Sequence, residues 1–271
     1  FLDAQGTPLP FGQAVASGRA VGAPGVVPML ALAHRQHGRL PWRDLFAPAI
    51  ALAEQGFAIS PRLHALLAQE TALRDDPVAR AYFFDARGQP HPVGHRLRNP
   101  ELARVLRQVA AIGPLALVEG PVARALVEKV RSHPRLPGAL TPDDLRRYQP
   151  REREALCHPL RTGGRWVRVC GFPPPSSGGL AVGQILGLLA RTPQAIASLR
   201  QGAPGADWLH AYTEASRLAF ADRAQYVADP DFVPAPGGRW LALLDPAYLG
   251  ARAALIGPRR APQVAPGRPD G

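Results

Sequence analysis

Lysine is nearly absent from this 271-residue chain, which nevertheless carries a formal net charge of +11. Lys129 is the only lysine among 32 basic residues, and the arginines are spread along the whole chain. No segment interleaves basic and aromatic residues in the way of proteins that bind single-stranded nucleic acid. Abundant Arg, Ala and Pro with so little Lys is typical of a coding bias. We therefore expect no nucleic-acid binding, and keep a nucleic-acid-binding module only as a distant alternative.

Long apolar runs are also missing, and the only methionine is Met29. No run reaches the roughly 20 residues that a membrane-spanning helix needs. Phe1 is not followed by the basic start and apolar core of a signal peptide. We therefore expect no membrane insertion, and we interpret the chain as a piece of a longer or processed polypeptide. Its length allows a sizeable core, in one large domain or two small ones.

Cysteine is scarce as well, since the chain contains only Cys157 and Cys170. The two residues fall on neighbouring strand-like segments and could lie close together. We favour the interpretation that they are two small buried apolar side chains. A disulfide is the alternative, and it requires an oxidising compartment.

Apolar periodicity and capping residues predict a mostly helical chain. The predicted helices cover Val26–His37, 42–55 with a kink or break at Pro48, a short helix after Ser60 and Pro61, 100–112 between Asn99 and Gly113, 120–132, a short helix capped by Thr141, 206–225 and 246–256. Two strands, 154–160 and 166–171, are predicted around a turn at 161–164. Residues 1–24 are predicted as loop, and 74–97 as irregular with a short strand at 81–85.

Two further expectations concern the second half of the chain. On the helix predicted at 206–225, we expect Leu209, Tyr212, Ala219 and Phe220 to form the apolar face. Residues 257–271 are rich in Pro, Gly and Arg, so they should form an extended, mobile tail.

The stretch "PPPSSGG" at 173–179 lies between a predicted strand and a predicted helix, where some hydrolases display a nucleophilic serine. Such an elbow requires glycine two residues before the serine. Pro174 and Pro175 occupy that position for Ser176 and Ser177. A serine nucleophile is therefore not predicted, and we expect one of the two serines to cap the following helix.

The two glycines of this stretch have a different expected role. Gly178 and Gly179 allow close packing or a positive φ. A functional alternative stays open, in which backbone N–H groups at this helix start bind an anion or steady a neighbouring catalytic loop.

The residue types that bind metals and nucleotides occur without their usual partners. His34 and His37 are spaced i, i+3 on one helix, but no third zinc ligand accompanies them in a known pattern. Residues 18–25 are glycine-rich with the wrong spacing for a dinucleotide or P-loop site. We therefore predict no metal and no cofactor.

Three carboxylates cluster near the end of the predicted helix at 206–225: Asp222, Asp229 and Asp231. We expect them to form ion pairs with Arg217 or Arg223 and to cap the following loop, and we do not assign them acid–base chemistry.

Four segments, in order along the chain, resemble the large subunit of γ-glutamyltranspeptidases. They are the Pro-Gly and "GRLPWRDLFAPAIALAEQGFAIS" elements within 21–60, "ALTPDDLRRYQP" at 139–150, "PPPSSGG" at 173–179 with the following apolar helix that contains Gln184, and "TEASRLAFADRAQYVADPDFV" at 213–233. The strongest family marker consists of Pro173, Pro174, Pro175, Ser176, Ser177, Gly178 and Gly179. A local departure occurs at 114–120, "PLALVEG", where the family often has an aromatic pair.

The resemblance implies an α/β (α+β) fold, namely a mostly helical part of the four-layer αββα architecture of N-terminal-nucleophile hydrolases. It implies a single large-subunit-like domain at 1–256, incomplete at both ends. The tail at 257–271 would then lead towards the processing site.

The resemblance also implies an activity. Members of the family are made as one polypeptide that cuts itself and so exposes a threonine at the start of the small subunit. Its hydroxyl attacks the γ-glutamyl amide of glutathione or a similar donor, and water or an acceptor amine takes the γ-glutamyl group. The partner implied for this chain is that small subunit, and the implied location is periplasmic or secreted.

The resemblance places the chemistry outside this chain. The nucleophilic threonine is expected beyond Gly271, and the arginine that binds the glutamate carboxylate is expected before Phe1. We therefore expect no catalytic or substrate-binding residue in the chain, which alone should be inactive. Two alternatives stay open: a cephalosporin-acylase-like amidohydrolase of the same superfamily, and a non-catalytic homologue that serves only in assembly.

Overall fold

The computed structural model describes residues 1–162, 164–192, 199–200 and 203–269. The chain divides into two compact units, Phe1–Arg151 and Glu152–Gly271, which are described separately below. The division into 1–256 and 257–271 that the resemblance implies stays a prediction.

Helices make up most of the regular secondary structure of the first unit. Its helices are α1 (Phe11–Val15), α2 (Val26–His37), α3 (Ala47–Gln55), α4 (Pro61–Gln69), α5 (Ala72–Asp75), α6 (Pro77–Phe83), α7 (Pro100–Ile112), α8 (Leu115–Val118), α9 (Gly120–Arg131) and α10 (Pro142–Arg147). Two short strands, β1 (Phe57–Ala58) and β2 (Arg96–Leu97), pair antiparallel.

Side-chain caps start several of these helices where the sequence predicts them. Ser60 Oγ accepts a hydrogen bond from Leu63 N at 3.1 Å, and Asn99 Oδ1 accepts one from Leu102 N at 2.9 Å. Thr141 forms a reciprocal capping box with the residue at the third position of α10. Each cap satisfies a backbone N–H that has no partner within its helix.

Proline and glycine also act where the sequence predicts. The predicted helix at 42–55 divides into a 3₁₀ turn, Trp42–Phe46, and α3, with Pro48 in the first turn of α3. Gly56 follows α3 with φ 81°, a conformation that glycine adopts without strain. The predicted break at Pro48 is therefore confirmed.

Two sequence predictions for the first unit are wrong. Residues 1–24 are not all loop, because α1 and a 3₁₀ turn at Gly18–Ala20 lie within them. The strand predicted at 81–85 is replaced by the end of helix α6. That helix forms because Asp76 Oδ1 accepts from Val78 N and Ala79 N, both at 2.9 Å, and Pro77 opens the first turn.

The core of the first unit explains the glycine-rich stretch at 18–25. Buried apolar side chains of α9 and α10 form a cluster with Leu140. A Cβ on Gly18 would collide with the carbonyl oxygen of Val130, and a Cβ on Gly25 would collide with the Tyr148 ring. Gly18 is therefore needed for close packing, because it faces backbone atoms, and Gly25 lets the Tyr148 ring lie against the chain.

The second unit combines a β-hairpin with three longer helices. The hairpin consists of β3 (Leu156–Thr162) and β4 (Arg165–Gly171), which pair antiparallel. The helices are α11 (Gly178–Leu189), α12 (Ala206–Tyr226) and α13 (Pro246–Ala253). Two short strands, β5 (Leu199–Arg200) and β6 (Ala203–Pro204), also pair antiparallel. Gly163, in the predicted turn, lies outside the described residues.

Helices α11 and α12 pack against each other through small side chains. Ala211, Ala215 and Ala219 of α12 are at most 2% exposed, and the first two belong to a core formed with α11 and α13. The predicted apolar face is therefore wrong except at Ala219, because Leu209 and Phe220 are 50% and 55% exposed. The prediction chose large apolar side chains for this face, whereas two closely packed helices meet through small side chains such as alanine.

Cys157 lies directly opposite Cys170 in the hairpin, and the two form a disulfide. The favoured interpretation of two unpaired buried thiols is therefore wrong. The strand register brings the two Cα atoms to 4.1 Å, so the side chains of the pair meet. Within the described residues, no helix is both long enough and apolar enough to cross a membrane.

We predict that replacing both Cys157 and Cys170 by alanine destabilises the second unit. Closing a chain loop of this size contributes about 3 kcal/mol to the free energy of unfolding. Urea unfolding of the full-length protein should show a lower midpoint for the double variant. A reductant should shift the wild-type midpoint to the same value and leave the variant unchanged; a wild-type midpoint insensitive to reductant would contradict the prediction.

Candidate functional site

The family-marker stretch at 173–179 forms the turn from β4 into α11. Pro174 is fully buried, and the peptide bond between Pro174 and Pro175 is cis. Ser177 occupies the N-cap position of α11 but makes no capping bond, because its backbone is helical, with φ −93° and ψ −10°. Its Oγ instead accepts from Arg223 Nε of α12 at 2.8 Å. The predicted serine cap is therefore wrong, and Ser177 joins the turn to α12.

Glycine is required at one position of this turn by close packing. A Cβ on Gly179 would lie 2.7 Å from the carbonyl oxygen of Phe172 and 3.2 Å from the carbonyl carbon of Gly171. Gly178 faces open space. Of the two roles predicted for these glycines, close packing is confirmed for Gly179, and a positive φ is wrong for both. Anion binding by backbone N–H groups at this helix start stays a prediction.

The other candidate residues in the first unit do not form a site. His34 Nε2 lies 2.8 Å from the carbonyl oxygen of Leu40, and its ring contacts Trp42 edge-on. His37 is exposed at the end of α2. Within the described part of the chain, no group of three or more metal-ligating side chains comes together.

The first unit also contains an open cavity of about 790 Å³. Ion pairs between Lys129 and Asp76 and between Arg135 and Asp75 line it. The hydrogen bond from Lys129 holds the pKa of Asp76 below its usual range. These carboxylates are occupied as ion-pair partners and as a helix cap, so they do not suit proton transfer.

Among the described residues of the second unit, Asp222 is the most buried charged group, with a side chain that is 1% exposed. Its Oδ2 accepts from Gln184 Nε2 at 2.8 Å and from Tyr248 Oη at 2.7 Å. Its Oδ1 accepts from Arg252 Nη2 at 2.9 Å and from the backbone N of Gly267 at 2.8 Å. We call Asp222 with these four partners the Asp222 network.

The Asp222 network is costly to disturb. A buried carboxylate is tolerated only when it is paired and hydrogen-bonded, and removing one partner of such a pair costs about 3–5 kcal/mol. Burial raises the pKa of Tyr248, and its hydrogen bond to Asp222 raises it further. Tyr248 therefore stays protonated and donates to the carboxylate.

Ion pairing of the three clustered carboxylates is confirmed, but the predicted arginine partners are wrong. Asp222 pairs with Arg252, and Arg153 lies 3.8 Å from Asp229 and 3.0 Å from Asp231. The predicted partner Arg217 pairs instead with Glu214 at 2.7 Å. The true partners lie far away in the sequence, where local spacing gives no indication of them.

The predicted loop-capping role is confirmed at one of these carboxylates. Asp229 Oδ1 accepts a hydrogen bond from Asp231 N at 3.0 Å, which stabilises the turn after α12.

The described part of the tail, 257–269, forms no helix or strand, and it contacts α12 and α13 at several points, which the sequence did not indicate. The predicted extended conformation stays a prediction. His210 Nε2 of α12 donates to the carbonyl oxygen of Gly257 at 2.7 Å. Arg252 Nη2 donates to that of Ala265 at 3.0 Å, and Val264 packs against the core. The predicted mobility of 257–271 stays a prediction.

A second buried carboxylate, Glu214, binds the middle of the tail. Glu214 Oε2 accepts from Ala261 N at 3.1 Å, and Arg217 Nη1 donates to Ala261 O at 2.8 Å. Burial acts to raise the pKa of Glu214, but the hydrogen bonds from Arg217 and Ala261 outweigh it, so the net pKa is lowered. Glu214 is therefore ionised at neutral pH and pairs with Arg217.

His158 of β3 is the remaining buried titratable group in the part of the second unit that the structure describes. It is 9% exposed, and neither ring nitrogen has a hydrogen-bond partner. The site of a Cβ on Gly183 would lie 2.7 Å from its ring, so the ring packs directly on α11. Burial lowers the pKa of His158. Sequence analysis did not single out this residue.

Comparison with solved structures identifies the fold class of the chain. The structure is similar to that of the Helicobacter pylori gamma-glutamyltranspeptidase, with a TM-score of 0.82 and 29% identity over 99% of this chain and 74% of that one. The fold is thus an α/β, mostly helical segment of the N-terminal-nucleophile hydrolase architecture, which confirms the predicted fold class.

Sequence comparison gives the family. A family model described as gamma-glutamyltranspeptidase matches residues 1–269. A glutathione hydrolase proenzyme of Pseudomonas aeruginosa is 34% identical over 89% of this chain and 40% of its own length. An acylase ACY 1 proenzyme of Pseudomonas sp. strain V22 is 37% identical over 89% of this chain and 41% of its own length. The chain belongs to the gamma-glutamyltranspeptidase family, and it spans about two fifths of the length of these relatives.

We predict that alanine substitution lowers the stability of the protein at only one of the two neighbouring glycines of the marker turn. Gly179→Ala should lower the free energy of unfolding by about 1–3 kcal/mol, because its Cβ meets backbone atoms that cannot move aside. The matched control Gly178→Ala should be neutral or stabilise by up to about 1 kcal/mol, because it adds a methyl group in open space on a helix. Equal midpoints in urea unfolding would contradict the packing role of Gly179.

We predict that His158 makes the protein less stable in mild acid. Its folded pKa is lowered from the ordinary value of 6.5, so the unfolded chain binds the proton first. Stability is therefore complete above pH 6.5 and falls as the pH drops below it, by at most about 1.4 kcal/mol per pH unit.

Unfolding midpoints at pH 7.5 and 5.5 would check this, since His158→Phe should lose part of the difference. The exposed control His37→Gln should keep the wild-type difference. An unchanged pH dependence in His158→Phe would exclude the assignment.

Proposed function

We propose that the full-length protein is a γ-glutamyltransferase and glutathione hydrolase, and that this chain supplies part of its large subunit. The observation that carries the proposal is the family match over residues 1–269, together with the backbone similarity to a gamma-glutamyltranspeptidase. The relatives named glutathione hydrolase proenzyme support both the substrate class and a self-processed precursor.

The nucleophile in this proposal is a threonine beyond Gly271, at the start of the small subunit. Its hydroxyl oxygen attacks the γ-carbonyl carbon of the donor, and its free α-amine accepts the hydroxyl proton. Hydrogen-bond donors of an oxyanion hole stabilise the negative oxygen. The C–N bond then breaks, the amine leaves with a proton, and a γ-glutamyl ester remains. Water or an acceptor amine attacks the ester and restores the threonine hydroxyl.

The role of the present chain in this reaction is structural. At the marker turn Pro174 is fully buried, and Gly179 packs against the backbone of Phe172 and Gly171. In the proposal the small subunit from the same precursor is the partner that completes the site. The chain alone is then inactive, since it would lack both the nucleophile and the arginine expected before Phe1.

A cephalosporin-acylase-like activity is the second candidate. The acylase ACY 1 proenzyme is as similar to this chain as the glutathione hydrolases are. The two activities differ in the acyl group that is bound, and the present chain carries no residue assigned to that choice. The donor assay therefore distinguishes them.

We also propose a periplasmic or secreted location. The disulfide between Cys157 and Cys170 supports it, because disulfides persist in oxidising compartments.

We predict that the full-length protein releases the aniline from a γ-glutamyl anilide, whereas residues 1–271 alone release none above the blank. Replacing the threonine after the cleavage point by alanine is the control, and it should abolish both the cleavage and the release. If the cleaved protein acts only on an acylated cephalosporin, its activity is that of an acylase and the proposed transferase activity is wrong. A protein that is neither cut nor active would leave only a role in assembly.

A further inference from the structure

The tail between Gly257 and Gly267 has no regular secondary structure, yet side chains of two helices hold its backbone. The tail-binding residues come from successive turns of α12 and from α13. They are His210, Glu214, Arg217, Asp222, Tyr226 and Arg252.

These contacts go to backbone atoms of the tail. Both the N–H and the carbonyl oxygen of Ala261 are bound, by Glu214 and Arg217. Both backbone groups of Gly267 are bound as well: its N donates to Asp222, and its O accepts from Tyr226 Oη at 2.5 Å. The path of the tail is therefore set at the level of the backbone, which fixes its direction as well as its position.

Gly267 is the most constrained residue of the tail. A Cβ at this position would collide with Tyr248 Oη and would lie 2.8 Å from Arg252 Cδ. The hydroxyl that it would strike is the one that donates to Asp222. The tail thus fits the Asp222 network only with glycine at 267.

Asp222 and Arg252 together hold the end of the tail. Asp222 Oδ1 accepts from both Arg252 and Gly267, and Arg252 donates in turn to Ala265. Charge-assisted hydrogen bonds of this kind are about twice as strong as neutral ones. A strong buried pair at this point makes Gly267 a fixed end for the chain that follows.

We infer that the Asp222 network positions the polypeptide after Gly267 for self-cleavage of the precursor. Asp222 is a positioning residue in this account, acting through the tail backbone. In the cleavage, water adds across a peptide bond and produces a carboxylate on the upstream chain and the threonine α-amine on the downstream chain. The inference rests on the proposed function, because it requires a precursor that is cut beyond the tail.

The test compares cleavage rates in the full-length precursor. Gly267→Ala adds a methyl group that meets the Tyr248 hydroxyl but leaves every charged group of the network in place, and Asp222→Asn removes the charge that the network is built on. We expect both variants to be cut about tenfold more slowly or worse, which corresponds to about 1.4 kcal/mol at the transition state. Gly250→Ala, on α13 with open space around it, is the matched control and should be cut at the wild-type rate.

A second readout separates positioning from a general loss of structure. Material of the Gly267→Ala variant that has eventually been cut should have the wild-type kcat and KM with a γ-glutamyl anilide. Slow cleavage with normal kinetics afterwards supports the inference. Cleavage of both variants at the wild-type rate overturns it, and so does a proportional loss of activity in the cut enzyme. A wild-type precursor that is never cut contradicts the proposed function itself.

Discussion

The buried ion pair between Asp222 and Arg252 is the interaction on which the second unit depends most. The carboxylate connects α12, which carries it, with α11 through Gln184, with α13 through Tyr248 and with the tail through Gly267. Each of its hydrogen bonds offsets part of the cost of removing a charge from water. The helices and the tail are therefore held in one arrangement by a single group, which a nonspecific apolar contact would not do.

Much of the helical fold could be predicted from the sequence, because its start and stop residues act locally. Asn99 and Thr141 cap helices in the structure as their sequence context indicates, and Gly56 ends one. The failures also have local causes. Asp76 and Pro77 start a helix in a segment predicted as irregular, since this one cap-and-proline pair lies among many polar residues that favour a loop.

The candidate site was far less predictable, because it depends on contacts between distant residues. Asp222 was recognised as an ion-pair partner, but Arg252 lies 30 residues away and no spacing rule connects them. Buried alanines instead of Leu209 and Phe220 form the packed face of α12, since burial there follows the close approach of α11. The resemblance to a known family indicates the fold, which the local rules do not. The family match over residues 1–269 confirms that resemblance.

The account depends most on the attachment of the tail to the helices by the Asp222 network. Hydrogen exchange of the tail amides in the full-length protein tests this attachment most directly. The amides of Ala261 and Gly267 lie in no helix or strand, but both donate to buried carboxylates. The account predicts that both exchange much more slowly than in an unstructured peptide, and that Asp222→Asn removes the protection of Gly267 first. Exchange of both amides at the rate of an unstructured peptide would contradict it.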